Sequence, residues 1–214
     1  MSLIANFINF VMHIDQNLIW IINKFGTFSY AIIFFIIFLE TGLVFTPFLP
    51  GDSLLFASGA FAAVGAFNVF LLLILLSCAA VLGDSVNYAI GHFIGKKILK
   101  MKSGLIKEDY VNRTKKFYDK YGGKTIIIAR FIPIIRTFAP FLAGIGAMRY
   151  GKFLAYNIIG GILWVAFFLF AGYFFGNIQF VKDNFSLVIL IIVFLSLVPV
   201  FIEFVKHHVR KNKK

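Results

Sequence analysis

One cysteine, five prolines and four histidines are all that 214 residues contain of these types, and only 14% of the chain is charged. The lone Cys78 excludes an internal disulfide, and its apolar surroundings predict a small buried residue. So little charge also excludes an ordinary water-facing surface. The histidines stand at 13, 92, 207 and 208, and the chain contains no H-E-x-x-H and no G-x-S-x-G run. An intramembrane protease or lipid phosphatase would lack its base and nucleophile, so no enzyme, metal or cofactor is expected. His92 is read as a packing residue. The opening "MSLIANFINFVMHID" has neither a basic n-region nor an A-x-A-like cleavage site, so it is not read as a signal peptide.

What remains is apolar. Hydrophobic residues make up 60%, phenylalanine alone supplies 29 positions, and the mean hydropathy is +0.91. Runs such as "VFLLLILLSCAAVL" and "FSLVILIIVFLSLVPVFI" reach or approach the roughly 20 residues needed to cross a bilayer core of about 30 Å. An all-α, polytopic integral membrane protein follows, with one membrane domain over 1–214. The net charge of +12 is gathered in residues 96–124 and in the tail 206–214. Basic loops beside spans mark the cytoplasmic face and its anionic lipid head groups, which makes nucleic acid an unneeded partner.

Along the chain, residues 1–25 mix apolar and polar positions, as an interfacial or membrane helix would. Residues 28–66 contain "TPFLPGD", where Pro47, Pro50 and Gly51 interrupt an apolar helix. A re-entrant hairpin fits, because freed backbone groups at membrane depth must be covered by protein or face a wet cavity. Residues 67–95 form a span. The plan repeats in a second hairpin, 125–148, broken by Pro133 and Pro140, followed by spans at 150–176 and 184–205. "FTP" at 45–47 matches "FIP" at 131–133, and "AIGHFIG" at 89–95 matches "FAGYFFG" at 170–176. With 96–124, Arg149, Lys152 and the C-terminus all cytoplasmic, the hairpins open to opposite sides, so the repeats are inverted. Inverted repeats with broken helices are the mark of secondary transporters.

Five ionisable residues fall inside apolar segments: Glu40, Asp52, Asp84, Arg130 and Arg136. A charge at a helix centre costs about 2.5–3.5 kcal/mol on insertion scales, so these five are expected to face one another or a cavity. Six positions apart on an unbroken helix, Arg130 and Arg136 would diverge by about 240°, and a break at Pro133 lets both turn to one side. Their planar donor forks suit a phosphate head group. Glu40 and Asp52, flanking the first break, are the proton-carrying candidates, since a low dielectric makes a carboxyl group's charge conditional. The alternative is a set of static ion pairs closing the hairpin tips. Asp84 in "GDSVNY" is either a supporting charge or an acceptor of Ser and Tyr hydroxyls. The glycines of "NIIGGILW" are read as helix-packing positions.

Three stretches, "FLETGLVFTPFLPGDSLLFASGAF", "GDSVNYAIGHFIGKK" and "ARFIPIIRTFAPFLAGIGAM", resemble the DedA family of bacterial inner-membrane proteins, part of the wider VTT-domain group. The resemblance covers about residues 28–180. It implies lipid translocation driven by the proton motive force, with undecaprenyl phosphate as one cargo and phosphatidylethanolamine or general phospholipid scrambling as others. It also implies functional roles at Glu40, Asp52, Arg130 and Arg136. A proton-coupled small-ion exchanger would use the same carboxylates but explains the arginines less well. Association with a second copy is left open.

Overall fold

In hydrocarbon every backbone N–H and C=O must find its partner inside the protein, which drives apolar sequence of this kind into helices. The computed structural model describes residues 20–22, 24–43, 51–95, 118, 121–176, 178, 179, 181, 187, 188 and 191, and among these it is helical throughout, with turns and no strand. Six helices organise it: α1 (Ser29–Gly42), α2 (Gly51–Ala63), α3 (Val69–Ile90), α4 (Lys124–Ala129), α5 (Pro133–Leu142) and α6 (Tyr150–Phe175). Wider π-helical turns follow α3 at Gly91–Gly95 and α5 at Ala143–Ala147. Pro47 and Pro50, most of 1–25, most of the basic segment 96–124, most of the 184–205 segment and the tail lie outside the described residues.

Among the described residues, two stretches are long and apolar enough to cross a membrane: Val69–Phe93 with 25 residues and Tyr150–Phe175 with 26. At about 1.5 Å of rise per residue each exceeds a hydrocarbon core of roughly 30 Å. Their outward sides are greasy, with Phe70 67%, Ile74 63% and Phe174 67% exposed, whereas Glu40, Asn87 and Asn157 are fully buried. Such an inside-out distribution suits lipid as the surrounding solvent. Cys78 turns outward, contrary to the buried position expected for it. A small thiol against hydrocarbon behaves as an apolar group, so this placement needs no compensation.

The chain divides into two compact units. One comprises the described parts of Met1–Ile36, Pro50–Leu76 and Val165–Lys214, the other Ile37–Leu49 and Ser77–Trp164. In the first, α2 packs against α6 by a reciprocal backbone approach: a Cβ on Gly59 would stand 2.0 Å from the Leu169 carbonyl oxygen, and one on Gly172 would stand 1.9 Å from that of Phe56. In the second unit the same device joins the end of α3 to the end of α5. A Cβ on Gly91 would meet the Phe141 oxygen at 2.1 Å, and one on Gly144 would meet the Tyr88 oxygen at 2.0 Å. In each case the glycine and the carbonyl it exposes are three residues apart on both helices. Helices in lipid gain little from burying apolar surface against one another, so small residues that bring backbones together become the packing force.

Gly172→Val is therefore expected to lower the thermal midpoint in detergent, by the equivalent of about 1–3 kcal/mol of overpacking. Gly151→Ala, where an added Cβ meets nothing within 4 Å, should not lower it. Circular dichroism melting of the two variants is the check.

Candidate functional site

The second unit holds four of the five intramembrane charges. Helix α4 stops at Ala129, and Ile132 takes an extended backbone, φ −121° and ψ 105°. That is the conformation a following proline imposes on its predecessor. Pro133 then opens α5, where its missing N–H is not needed. Arg130 thus closes one helix and Arg136 lies in the next, and the break releases them from the divergence of a continuous helix. Pro140, the second expected break, is instead accommodated within α5. It removes the helical donor that would have bonded the Arg136 carbonyl, and the π-helical turn begins three residues later.

Both arginines are buried and both face a carboxylate. Arg136 Nη2 donates to Glu40 Oε1 at 2.5 Å, and the two side chains are 3% and 0% exposed. The Arg136 guanidinium also lies over the Trp164 ring, 4.9 Å from its centroid, and Trp164 is itself fully buried. Away from water a cation over an indole contributes about 2 kcal/mol. Arg130 Nη2 lies 2.7 Å from Asp84 Oδ2. The same nitrogen donates to Asn157 Oδ1 and to the Ala80 carbonyl at 3.4 Å. Two carboxylates and two guanidinium groups make the cluster formally neutral, and Asp84 is within electrostatic range of both arginines.

Amides and glycines hold these groups in register. Asn87 Nδ2 donates to the Thr137 carbonyl at 2.9 Å and to that of Thr41 at 3.3 Å, which ties α3 to α5 and to the end of α1. Asn157 Nδ2 donates to the Val81 carbonyl at 3.0 Å. Gly83, beside Asp84, gives room to α1, since a Cβ there would fall 1.9 Å from Thr41 Oγ1. Gly160 and Gly161 form the floor on which Arg130 lies; added Cβ atoms would sit 3.1 Å from its Cδ and 3.5 Å from its Nη2. Outside the spans, the buried Tyr118 hydroxyl donates to the Ala139 carbonyl at 2.9 Å. Burial, together with the negative charge of Asp84, pushes the Tyr118 phenol upward and keeps it a donor.

Asp52 belongs to the other unit, buried in the first turn of α2, where a negative charge is favoured by the helix dipole. Gly51 is the first residue of that helix and is buried too. Of the carboxylates expected near the arginines, Glu40 is there, and Asp84, expected only in a supporting place, is the direct partner of Arg130. Sequence reasoning missed Asn87, Asn157, Thr137 and Trp164. Asn87 carried a usable signal, because it stands three residues after Asp84 on the same face of α3. His92 stacks on Tyr88 as a packing residue does, with ring centroids 6.3 Å apart.

This arrangement lies within a segment that known proteins share. Residues 49–174 match the VTT domain model. Protein DedA of Escherichia coli K12 is 50% identical over 210 residues, 97% of this chain and 96% of that protein. The chain belongs to the DedA family. Other DedA-family relatives include an uncharacterized membrane protein of Mycobacterium tuberculosis H37Rv, 44% identical over 87% of this chain and 85% of its own length. Inner membrane protein YghB of E. coli K12 is 33% identical over 80% and 77%. No solved structure matches. These relatives and the two apolar spans place this DedA-family chain in a membrane.

Removing one member of a buried pair strands the other's charge. Glu40→Ala is expected to destabilise the protein by about 3–5 kcal/mol, with Glu40→Ala/Arg136→Ala recovering much of that loss. Melting midpoints of the two single variants and the double variant in detergent measure the coupling. Equal midpoints for Glu40→Ala and wild type would contradict it.

Proposed function

We propose that the protein is a translocase for lipid phosphates in the bacterial cytoplasmic membrane, driven by the proton motive force, with undecaprenyl phosphate as its cargo. The observation that carries this reading is the Glu40–Arg136 pair, a desolvated guanidinium group held by a short hydrogen bond to a removable carboxylate. A phosphate head group, like a carboxylate, presents anionic oxygens that accept from the planar guanidinium fork, and it can take the place of Glu40 on Arg136. Glu40, displaced into a low dielectric, then accepts a proton. Asp52 has the corresponding part at the first hairpin. Only the polar head enters the protein, while the polyprenyl tail stays in the bilayer against outward phenylalanines such as Phe35 and Phe167.

The topology that goes with this reading has hairpins 28–66 and 125–148 as inverted, re-entrant elements. The short lengths of α4 and α5, six and ten residues, support it, since neither could cross a bilayer alone. So does the recurrence of one reciprocal glycine contact in both units. The segment 96–124 and the C-terminus are on the cytoplasmic side by the distribution of lysine and arginine.

Arg136→Lys tests the clamp, because lysine keeps the charge opposite Glu40 but loses the fork. In proteoliposomes the variant is expected to melt near wild type yet to move undecaprenyl phosphate at least about tenfold more slowly, the equivalent of about 1.4 kcal/mol in the transport barrier. Arg136→Ala should abolish movement. Unchanged flux in Arg136→Ala removes the clamp role, and flux of zwitterionic lipid alone redirects the reading to a general phospholipid scramblase.

A further inference from the structure

The two buried pairs are built differently. Glu40 spends its negative charge on a short, well-aimed hydrogen bond from Arg136. Asp84 does not: its Oδ2 is close to Arg130 Nη2 at 2.7 Å, but neither carboxylate oxygen receives a hydrogen bond among the described residues. Arg130 Nη2 has two hydrogens and three acceptors around it, namely Asp84 Oδ2, Asn157 Oδ1 and the Ala80 carbonyl. Its Nε and Nη1 have no partner among the described residues. A static buried salt bridge holds best when its carboxylate is hydrogen-bonded, and Asp84 has no such bond on either oxygen among the described residues, whereas Glu40 has one on Oε1. Arg130 keeps two neutral acceptors and its glycine floor without Asp84. Of the pair, only the carboxylate can give up its charge to a proton, since arginine stays charged.

We propose that Asp84 is a proton-loading site in its own right, additional to Glu40 and Asp52, which makes and breaks its charge pair with Arg130 while Asn157 and Ala80 hold the guanidinium in place. The chemistry is one O–H bond formed on the Asp84 carboxylate from a proton delivered by water and returned to it. The groups facing Asp84 are Arg130 at the α4–α5 joint, Arg136 on α5, the Tyr118 phenol and, on the same Arg130 nitrogen, the neutral Asn157 of α6; Glu40 on α1 is engaged by Arg136. Along α3 itself the next titratable groups are Tyr88 and His92, one and two turns further on. Loading changes the cluster from neutral to a net single positive charge, so the proton and an anionic head group favour each other's entry. That last consequence rests on the translocase reading, whereas the proton site does not.

Infrared difference spectra between acidic and alkaline buffer, on purified protein in lipid nanodiscs, read the site directly. Wild type is expected to show the carbonyl stretch of a buried protonated carboxyl group, with one component lost in Asp84→Asn and retained in Glu40→Gln and in Asp52→Asn. Asp84→Glu should restore that component at a shifted frequency, which guards against a fold defect in the amide. A spectrum of folded Asp84→Asn identical to wild type, or no such band at any pH in wild type, overturns the proposal. In proteoliposomes Asp84→Asn should weaken the dependence of undecaprenyl-phosphate flux on a pH gradient, and a dependence equal to wild type overturns the coupling. An Asp84 band in a wild-type protein that moves no lipid would leave the proton site standing and sink the translocase reading.

Discussion

Charge taken out of water must be matched by charge, and this requirement orders the second unit of the protein. An arginine at membrane depth has no neutral form to retreat to, so Arg130 and Arg136 each demand a carboxylate or another anion within a few ångströms. Glu40 and Asp84 answer that demand from α1 and α3. The amides in the cluster, Asn87 and Asn157, donate to carbonyls of neighbouring helices, that of Thr137 among them. Remove the arginines and the reason for most of these bonds disappears. The interior is polar because two guanidinium groups are there, and the exterior is apolar because lipid is the solvent.

Balance of formal charge does not make the cluster inert. Arg136 is held three ways, by a short hydrogen bond, by the face of Trp164 and by its seat in α5. Arg130 ends α4 at a helix break and rests on glycines, with its ion pair poorly aimed. A cluster with one tight and one loose pair has a preferred place to give way. A change at the loose pair alters the net charge felt at the tight one.

How far the sequence disclosed this depended on whether a signal was local. The cost of a charge in an apolar run is a property of single positions, and it picked out Glu40, Arg130 and Arg136. The break between the arginines was equally local, because a proline constrains its own neighbour and Ile132 obeys. Pairing across helices is not local. Whether Arg130 meets Glu40, Asp52 or Asp84 depends on the register in which α3 lies against α4 and α6, where Gly160 and Gly161 make the close approaches. In the sequence Gly160 and Gly161 read as helix-packing positions, with nothing to say which helix they meet. Pro140 reads as a breaker by the same local rule that served at Pro133, yet the helix absorbs it and widens a turn later. Cys78 shows the converse error, in which burial is inferred from apolar neighbours although in lipid apolar neighbours face out as readily as in.

Close glycine packing and the charge cluster depend on each other. Asparagine is short, and Asn87 can bridge the carbonyls of Thr41 and Thr137 only because Gly83 lets α1 approach α3 and the Gly91–Gly144 contact draws the end of α5 against the same helix. A longer amide would reach across a wider gap but would carry more rotamer freedom and fix the register less sharply. The glycines in turn have little of their own to hold helices together, since dispersion between backbones competes with equally good contacts to lipid tails. Hydrogen bonds to carbonyls and the ion pairs supply the direction that packing lacks. Any displacement of α5 along α3 must therefore disturb the Asn87 bridge and the glycine contact together. That favours two discrete arrangements of α5 against α3 over a continuous slide.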